Sequence, residues 1–180
     1  MNYELYCYKS KLFIPELTEA YKIIKEENAK SDSGQLSYKS NSIFKIIVAL
    51  RKFNPKLDSC FLDGYNKIES LKKTRGDQII LNTPKGEIST QIKILDSFVL
   101  ISVPFLYSSN KAKQVFEQVN EYTKIIRLAV NYFVYDPQTD KVYDPFNQTL
   151  NDLSIYIEIF DRVTQQKLEI QKLRSWWKFW

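Results

Sequence analysis

Glu87-Ile88-Ser89-Thr90-Gln91-Ile92-Lys93-Ile94-Leu95-Asp96-Ser97-Phe98-Val99-Leu100-Ile101-Ser102-Val103-Pro104-Phe105 is the stretch that decides the fold. Ile88, Thr90, Ile92 and Ile94 alternate with Ser89, Gln91, Lys93 and Leu95, the two-residue period of a strand. Asp96-Ser97 is a two-residue polar link, and the β-branched and aromatic run Phe98 to Phe105 follows it, so the pair predicts an antiparallel hairpin. Gln78 to Leu81 precedes it across Thr83-Pro84-Lys85-Gly86, whose Pro and Gly mark a turn. Residues 78–105 therefore predict a three-stranded meander.

Working outward, Tyr3, Leu5 and Cys7 alternate with Glu4, Tyr6 and Tyr8, which predicts an N-terminal strand. Pro15 suits a first helical turn, and Leu17, Ala20, Tyr21 and Ile24 recur at spacings of three and four up to about Lys30. A polar loop to Lys39 follows. Ile43, Phe44, Ile46, Ile47, Ala49 and Leu50 predict a second, mostly buried helix, capped by Asn41 or Ser42 and stopped by Asn54-Pro55. Residues 57–62 predict a short strand, and Tyr65 to Lys73 a short polar helix ending near Gly76. The clearest helix spans Asn110 to about Asn131. Its stripe of Ala112, Val115, Phe116, Val119, Tyr122, Ile126, Ala129 and Val130 is expected to pack on the meander. Two aromatic triplets then bracket Pro137-Gln138-Thr139-Asp140 and predict a hairpin. Leu150, Leu153, Tyr156, Ile157, Phe160 and Val163 are helix-spaced and lead towards the C-terminus.

This order predicts an α+β fold: a mixed, mostly antiparallel sheet with a central three-stranded meander and a C-terminal hairpin, helices packed mainly on one face. Residues 1–165 make a single domain, and residues 166–180 a basic, Trp-rich tail or helix extension.

Composition excludes several functions. The chain has 180 residues, 44% of them apolar, which rules out wholesale disorder. It has no histidine, which removes Ser-His-Asp and Cys-His catalysis and histidine metal sites. Its 4 glycines form no phosphate-cradling or dinucleotide-binding loop. Cys7 and Cys60 have apolar or aromatic neighbours and no paired ligand, and so read as small buried hydrophobes. The residues support no enzyme, no cofactor and no metal site. Met1 to Tyr6 lacks a basic start followed by an apolar run, so the expected location is the cytoplasm. The 26 Lys and Arg exceed the 21 Asp and Glu by 5. Residues 161–180 hold 5 basic and 2 acidic groups, so 3 of those 5 excess charges lie in the tail. A nearly neutral body argues against a general nucleic-acid binder.

Two regions could serve a partner. Asp136, Asp140 and Asp144 recur every four residues along the hairpin, flanked by Tyr135 and Tyr143. The carboxylates read either as turn punctuation or as an acidic contact surface, and the tyrosines as contact area. Tyr6, Tyr8 and Tyr132 are further candidates for a surface aromatic patch. The contact reading expects Asp140→Lys to weaken binding and leave stability nearly unchanged. In the tail, Arg174, Trp176, Trp177, Lys178 and Trp180 combine aromatics with cations. This suits a lipid interface at the inner face of the membrane, a partner, or docking on its own domain.

Tyr3-Glu4-Leu5-Tyr6-Cys7-Tyr8-Lys9, the run Tyr132 to Pro145 with its Val134-Tyr135-Asp136-Pro137-Gln138-Thr139 core, and the Trp176-Trp177-Lys178-Phe179-Trp180 ending carry a resemblance. Together they resemble small bacterial cytosolic proteins of the polymorphic-toxin immunity type. The resemblance implies a non-enzymatic protein that binds a cognate toxin domain and neutralises it by occlusion. It implies no catalytic residues. Immunity proteins against nucleases are often acidic, and the basic balance here points away from a nuclease. The alternatives are a nucleic-acid-associated module using Lys, Arg and Tyr, and a membrane-peripheral or assembly protein held by its tail.

Overall fold

The computed structural model describes residues 2–32, 41–60, 79–84, 87–104 and 109–147, together with 154–155, 157–159, 161–162, 165 and 169. The expected helix at 65–73 and the tail residues Arg174, Trp176, Trp177, Lys178 and Trp180 lie outside them. The fold is α+β. Strands β1 (Asn2–Tyr8), β2 (Asp58–Cys60), β3 (Ile79–Asn82), β4 (Gln91–Ile94), β5 (Phe98–Pro104), β6 (Phe133–Asp136) and β7 (Lys141–Tyr143) form one sheet in the order β2-β3-β4-β5-β1-β6-β7. Helices α1 (Leu17–Asp32), α2 (Asn41–Phe53) and α3 (Ser109–Val130) accompany it. The described residues of 154–169 are helical, and Arg162 reaches back to Glu158 across one turn at 2.7 Å.

The meander forms as expected, with Ile80 opposite Lys93 and Ile92 opposite Ile101. The Leu95 N–H donates to the Phe98 carbonyl at 3.0 Å and closes the turn at Asp96-Ser97. Strand β4 starts three residues later than the alternation suggested. Thr83 provides the reason: its hydroxyl accepts the Thr90 N–H at 2.8 Å and donates to the Ile88 carbonyl at 2.7 Å. These bonds satisfy backbone groups that a longer ladder would otherwise have paired.

Strand β1 is internal, between β5 and β6. It pairs with β5 along its whole length and with β6 through Tyr6 to Tyr8. Every pairing is antiparallel, so the sheet is not mixed. Strand β1 buries side chains on both of its faces, Leu5 and Cys7 on one and Tyr8 on the other. Leu5 and Cys7 join Leu81, Ile92, Val99, Ile101 and Val134 beneath α2 and α3. Tyr8 joins Phe98, Leu95 and Tyr135 against Ala20 and Ile24 of α1. Helices α2 and α3 thus share one face, as expected of a sheet with helices mainly on one side, and α1 covers part of the other.

Helix α3 buries Ala112, Val115, Val119, Tyr122 and Ile126, and its main neighbour is α2 rather than the meander. Phe116 is only half buried. Asn131 ends α3 with φ 62°, and its N–H donates to the Arg127 carbonyl at 2.8 Å. That left-handed residue is a helix stop that asparagine tolerates well. Cys7 is fully buried in the core, and its burial raises the thiol pKa far above the ordinary value, which disfavours the thiolate. No helix of the described residues is long and apolar enough to cross a membrane.

Candidate functional site

The hairpin β6–β7 forms in the expected register, with Tyr135 opposite Val142 and Asp136 opposite Lys141. Each carboxylate of its acidic corners is engaged within the protein. Asp136 is 5% exposed and accepts the Tyr3 hydroxyl at 3.0 Å and the Gln138 N–H at 2.8 Å. Burial raises its pKa although these hydrogen bonds pull it down. Asp140 is exposed, but its Oδ1 accepts the Tyr21 hydroxyl at 2.6 Å and the Tyr135 hydroxyl at 3.2 Å. Asp144 Oδ2 accepts Arg127 Nε at 3.0 Å and Nη2 at 2.8 Å, and its Oδ1 accepts the Phe146 N–H at 3.1 Å.

The tyrosines are engaged in the same way. Tyr135 is 4% exposed, Tyr8 and Tyr132 are buried, and Tyr143 packs half-buried on the main core. Their rings supply apolar area that the twisted sheet needs beneath α1, α2 and α3. Of the five hairpin residues expected at a partner surface, Tyr135 and Asp136 are inside, Tyr143 and Asp144 are half-buried, and Asp140 alone is exposed.

Asp140 is also a structural residue. Its φ is 56°, a left-handed conformation that Asp and Asn accept more readily than Lys. It ties the hairpin to α1 through Tyr21. Asp140→Lys is therefore expected to lower stability by roughly 1–2 kcal/mol, contrary to the neutral outcome the sequence suggested. Asp140→Asn, which keeps an acceptor and tolerates the backbone, is expected to lose less than half of that. Thermal melts of the two variants check the ranking; equal melting temperatures for wild type and Asp140→Lys would refute it.

The exposed apolar surface lies elsewhere. Between β1 and α1, Leu12, Phe13 and Ile14 are 44%, 98% and 74% exposed. The loop that carries them is held in place. Glu19 of α1 accepts the Ser10 hydroxyl at 2.6 Å and the Lys11 N–H at 2.7 Å, and the Leu12 N–H donates to Ser10 Oγ at 3.0 Å. A carboxylate in the first turn of a helix suits the helix dipole, so Glu19 serves both the helix and the loop. Pro15 lies just outside α1 rather than in its first turn.

Behind this loop is a groove of about 950 Å³. It is lined by Phe13 and Ile14 of the loop and by Phe133, Val142 and Arg127 of the hairpin and α3. Arg127 is fixed on three sides: its guanidinium lies 4.2 Å from the centre of the Phe133 ring, pairs with Asp144, and donates to Asn131 Oδ1. Burial works to raise the Asp144 pKa, but hydrogen bonds from Arg127 and the Phe146 N–H, with the Arg127 charge, bring it below the usual value. Among the described residues, no three His, Cys, Asp or Glu side chains converge as a metal site would.

The sequence reading missed this loop, although it carried a signal. Leu12-Phe13-Ile14 is an apolar triplet that continues neither the strand period before it nor the helix period after Pro15. Comparison of the chain with family models, with curated proteins and with solved structures returns no match.

Proposed function

We propose that the chain is a non-enzymatic protein-binding module whose contact face is the β1–α1 loop and the groove behind it. The observation that carries this reading is the solvent exposure of Phe13 and Ile14 on a loop braced by Glu19. Exposed large apolar side chains on a fixed support suit recognition, because little conformational entropy is lost when a partner covers them. Aromatic anchors of this kind are common among residues that dominate interface energetics. The most concrete form of the reading is an immunity protein that neutralises a toxin domain by occlusion, and the resemblance of the Tyr3–Lys9 and Tyr132–Pro145 segments supports it.

A growth assay tests it. Products encoded beside this chain are expressed alone and together with it. Rescue of growth by the wild-type chain is expected, with at least roughly tenfold weaker binding and loss of rescue for Phe13→Glu. The melting temperature of Phe13→Glu should match the wild type, since that side chain packs on almost nothing. Full rescue by Phe13→Glu removes the loop from the interface. Toxicity that the wild-type chain never relieves removes the immunity reading.

A further inference from the structure

Among the described residues, the groove lining carries Lys11 and Arg127 against one carboxylate, Asp144, a positive excess where the hairpin suggested a negative one. Among the described groove-lining residues Asp144 is the only carboxylate, and it is paired with Arg127. Glu19 and Asp140 keep their negative charge, because the Ser10 hydroxyl, the Lys11 N–H and two tyrosine hydroxyls that bind them are neutral, but neither carboxylate is among the described residues lining the groove. Glu16 is exposed but lies beyond Pro15, outside the groove lining. Residues 9–15, by contrast, contain Lys9 and Lys11 and no acid. Both lysines are exposed, and neither meets a carboxylate among the described residues. Lys11 lines the groove directly, beside Leu12, Phe13 and Ile14.

We propose that this groove docks an acidic, apolar segment of a partner protein, with Lys11 meeting a carboxylate and Phe13 and Ile14 covering the adjacent apolar side chain. The proposal rests on the protein-binding reading above and adds the chemistry of the partner. A carboxylate on the incoming segment finds in Lys11 a cation that meets no carboxylate among the described residues. An apolar neighbour finds Phe133 and Val142 in the groove lining. A basic segment would instead meet Lys11 and Lys9, and like charges brought together in this way are an effective means of rejecting wrong partners.

Random linear peptides displayed on phage and selected on the full chain provide the test. Enrichment of peptides with Asp or Glu beside an aromatic or aliphatic residue is expected. A selected peptide, made synthetically, should bind about tenfold more weakly to Lys11→Glu and to Phe13→Ala and nearly normally to Lys11→Arg, and its affinity should fall as salt rises. Enrichment of basic or uncharged peptides, recovery of no groove-dependent peptide, or equal binding by Lys11→Glu would overturn the proposal.

A second arm uses vesicles of phosphatidylcholine with phosphatidylglycerol, the other surface that joins negative charge to apolar matter. Co-sedimentation lost in Phe13→Glu, without any peptide enrichment, assigns the loop to lipid and also overturns the proposal. The two levels separate cleanly. If Phe13→Glu abolishes growth rescue while Lys11→Glu leaves it intact, protein binding stands and the acidic partner falls. If acidic peptides bind through Lys11 but rescue is indifferent to Phe13, the groove chemistry stands and the functional reading falls.

Discussion

Replacing Tyr122 by alanine is expected to destabilise the chain by about 3–5 kcal/mol, the range for truncating a fully buried aromatic residue. For a chain of this size, that corresponds to a fall in melting temperature on the order of 10 °C. Tyr122 lies where α2 meets α3. Its ring is fully buried and meets the Phe53 ring edge-on, with centroids 5.8 Å apart. Its hydroxyl accepts the side-chain amides of Asn54 at 3.1 Å and Gln118 at 3.2 Å. Asn54 in turn stops α2, its Oδ1 accepting the Lys56 N–H at 3.1 Å. Truncation therefore opens a cavity between two helices and frees the residue that ends one of them. Tyr122→Phe keeps the ring and removes only the two amide contacts, at a cost of about 1 kcal/mol, since water can reach those part-buried amides. Phe116→Ala, two turns earlier and half exposed, should cost about 1–2 kcal/mol, well below what a fully buried phenylalanine would lose. Urea denaturation of the three variants gives the order directly. A Tyr122→Ala midpoint indistinguishable from wild type would place the α2–α3 contact elsewhere.

The elements of this fold were legible wherever a local period dictates them. The alternation of Ile92 and Ile94 against Lys93, the stripe from Ala112 to Ile126, and the Pro137-Gln138-Thr139-Asp140 turn each report on neighbours within a few residues. The order of strands did not follow from such patterns. Nothing local says that Leu5 must pair with Ile101 or Cys7 with Val134. Once β1 lies between β5 and β6, Tyr8, Phe98 and Tyr135 gather on its second face and need a cover, and α1 lies on the side opposite α2 and α3. The same distance limit explains the misreading of the hairpin. Asp136 is satisfied by Tyr3, 133 positions away, and Asp140 by Tyr21, 119 positions away. A carboxylate in a turn looks available until such a partner is known. The candidate groove was hidden for a related reason: its lining comes from the β1–α1 loop, the end of α3 and the hairpin, which only the tertiary fold brings together.

Removing the Arg127 side chain tests the groove wall and the acid response of the fold together. Arg127→Ala is expected to cost about 2–3 kcal/mol at neutral pH, because it leaves Asp144 half-buried without its cation and uncovers the Phe133 ring. The side chains of this pair are only 16% and 23% exposed, so solvent screens them less than a surface ion pair. Arg127→Lys should recover little, since an ammonium group reproduces neither the paired Nε and Nη2 contacts nor the flat stacking on Phe133. The sign of the pH effect follows from the lowered pKa of Asp144. In the folded chain its carboxyl titrates below its ordinary value of 3.8. Its contribution is therefore fully present above about 3.8 and is lost as pH falls through the lower folded value. In Arg127→Ala that contribution is missing from the start, so the stability gap between variant and wild type should narrow as acid is added. Asp136 acts with the opposite sign. Its folded pKa is raised, so its contribution is present below about 3.8 and is lost as pH rises through the folded value. Both chains carry Asp136, so it shapes their individual pH curves and cancels from the gap. Denaturation midpoints of wild type and Arg127→Ala measured from neutral pH into acid read this gap. A gap that stays constant down to the lowest pH at which both chains fold would show that the Arg127–Asp144 pair does not hold this corner.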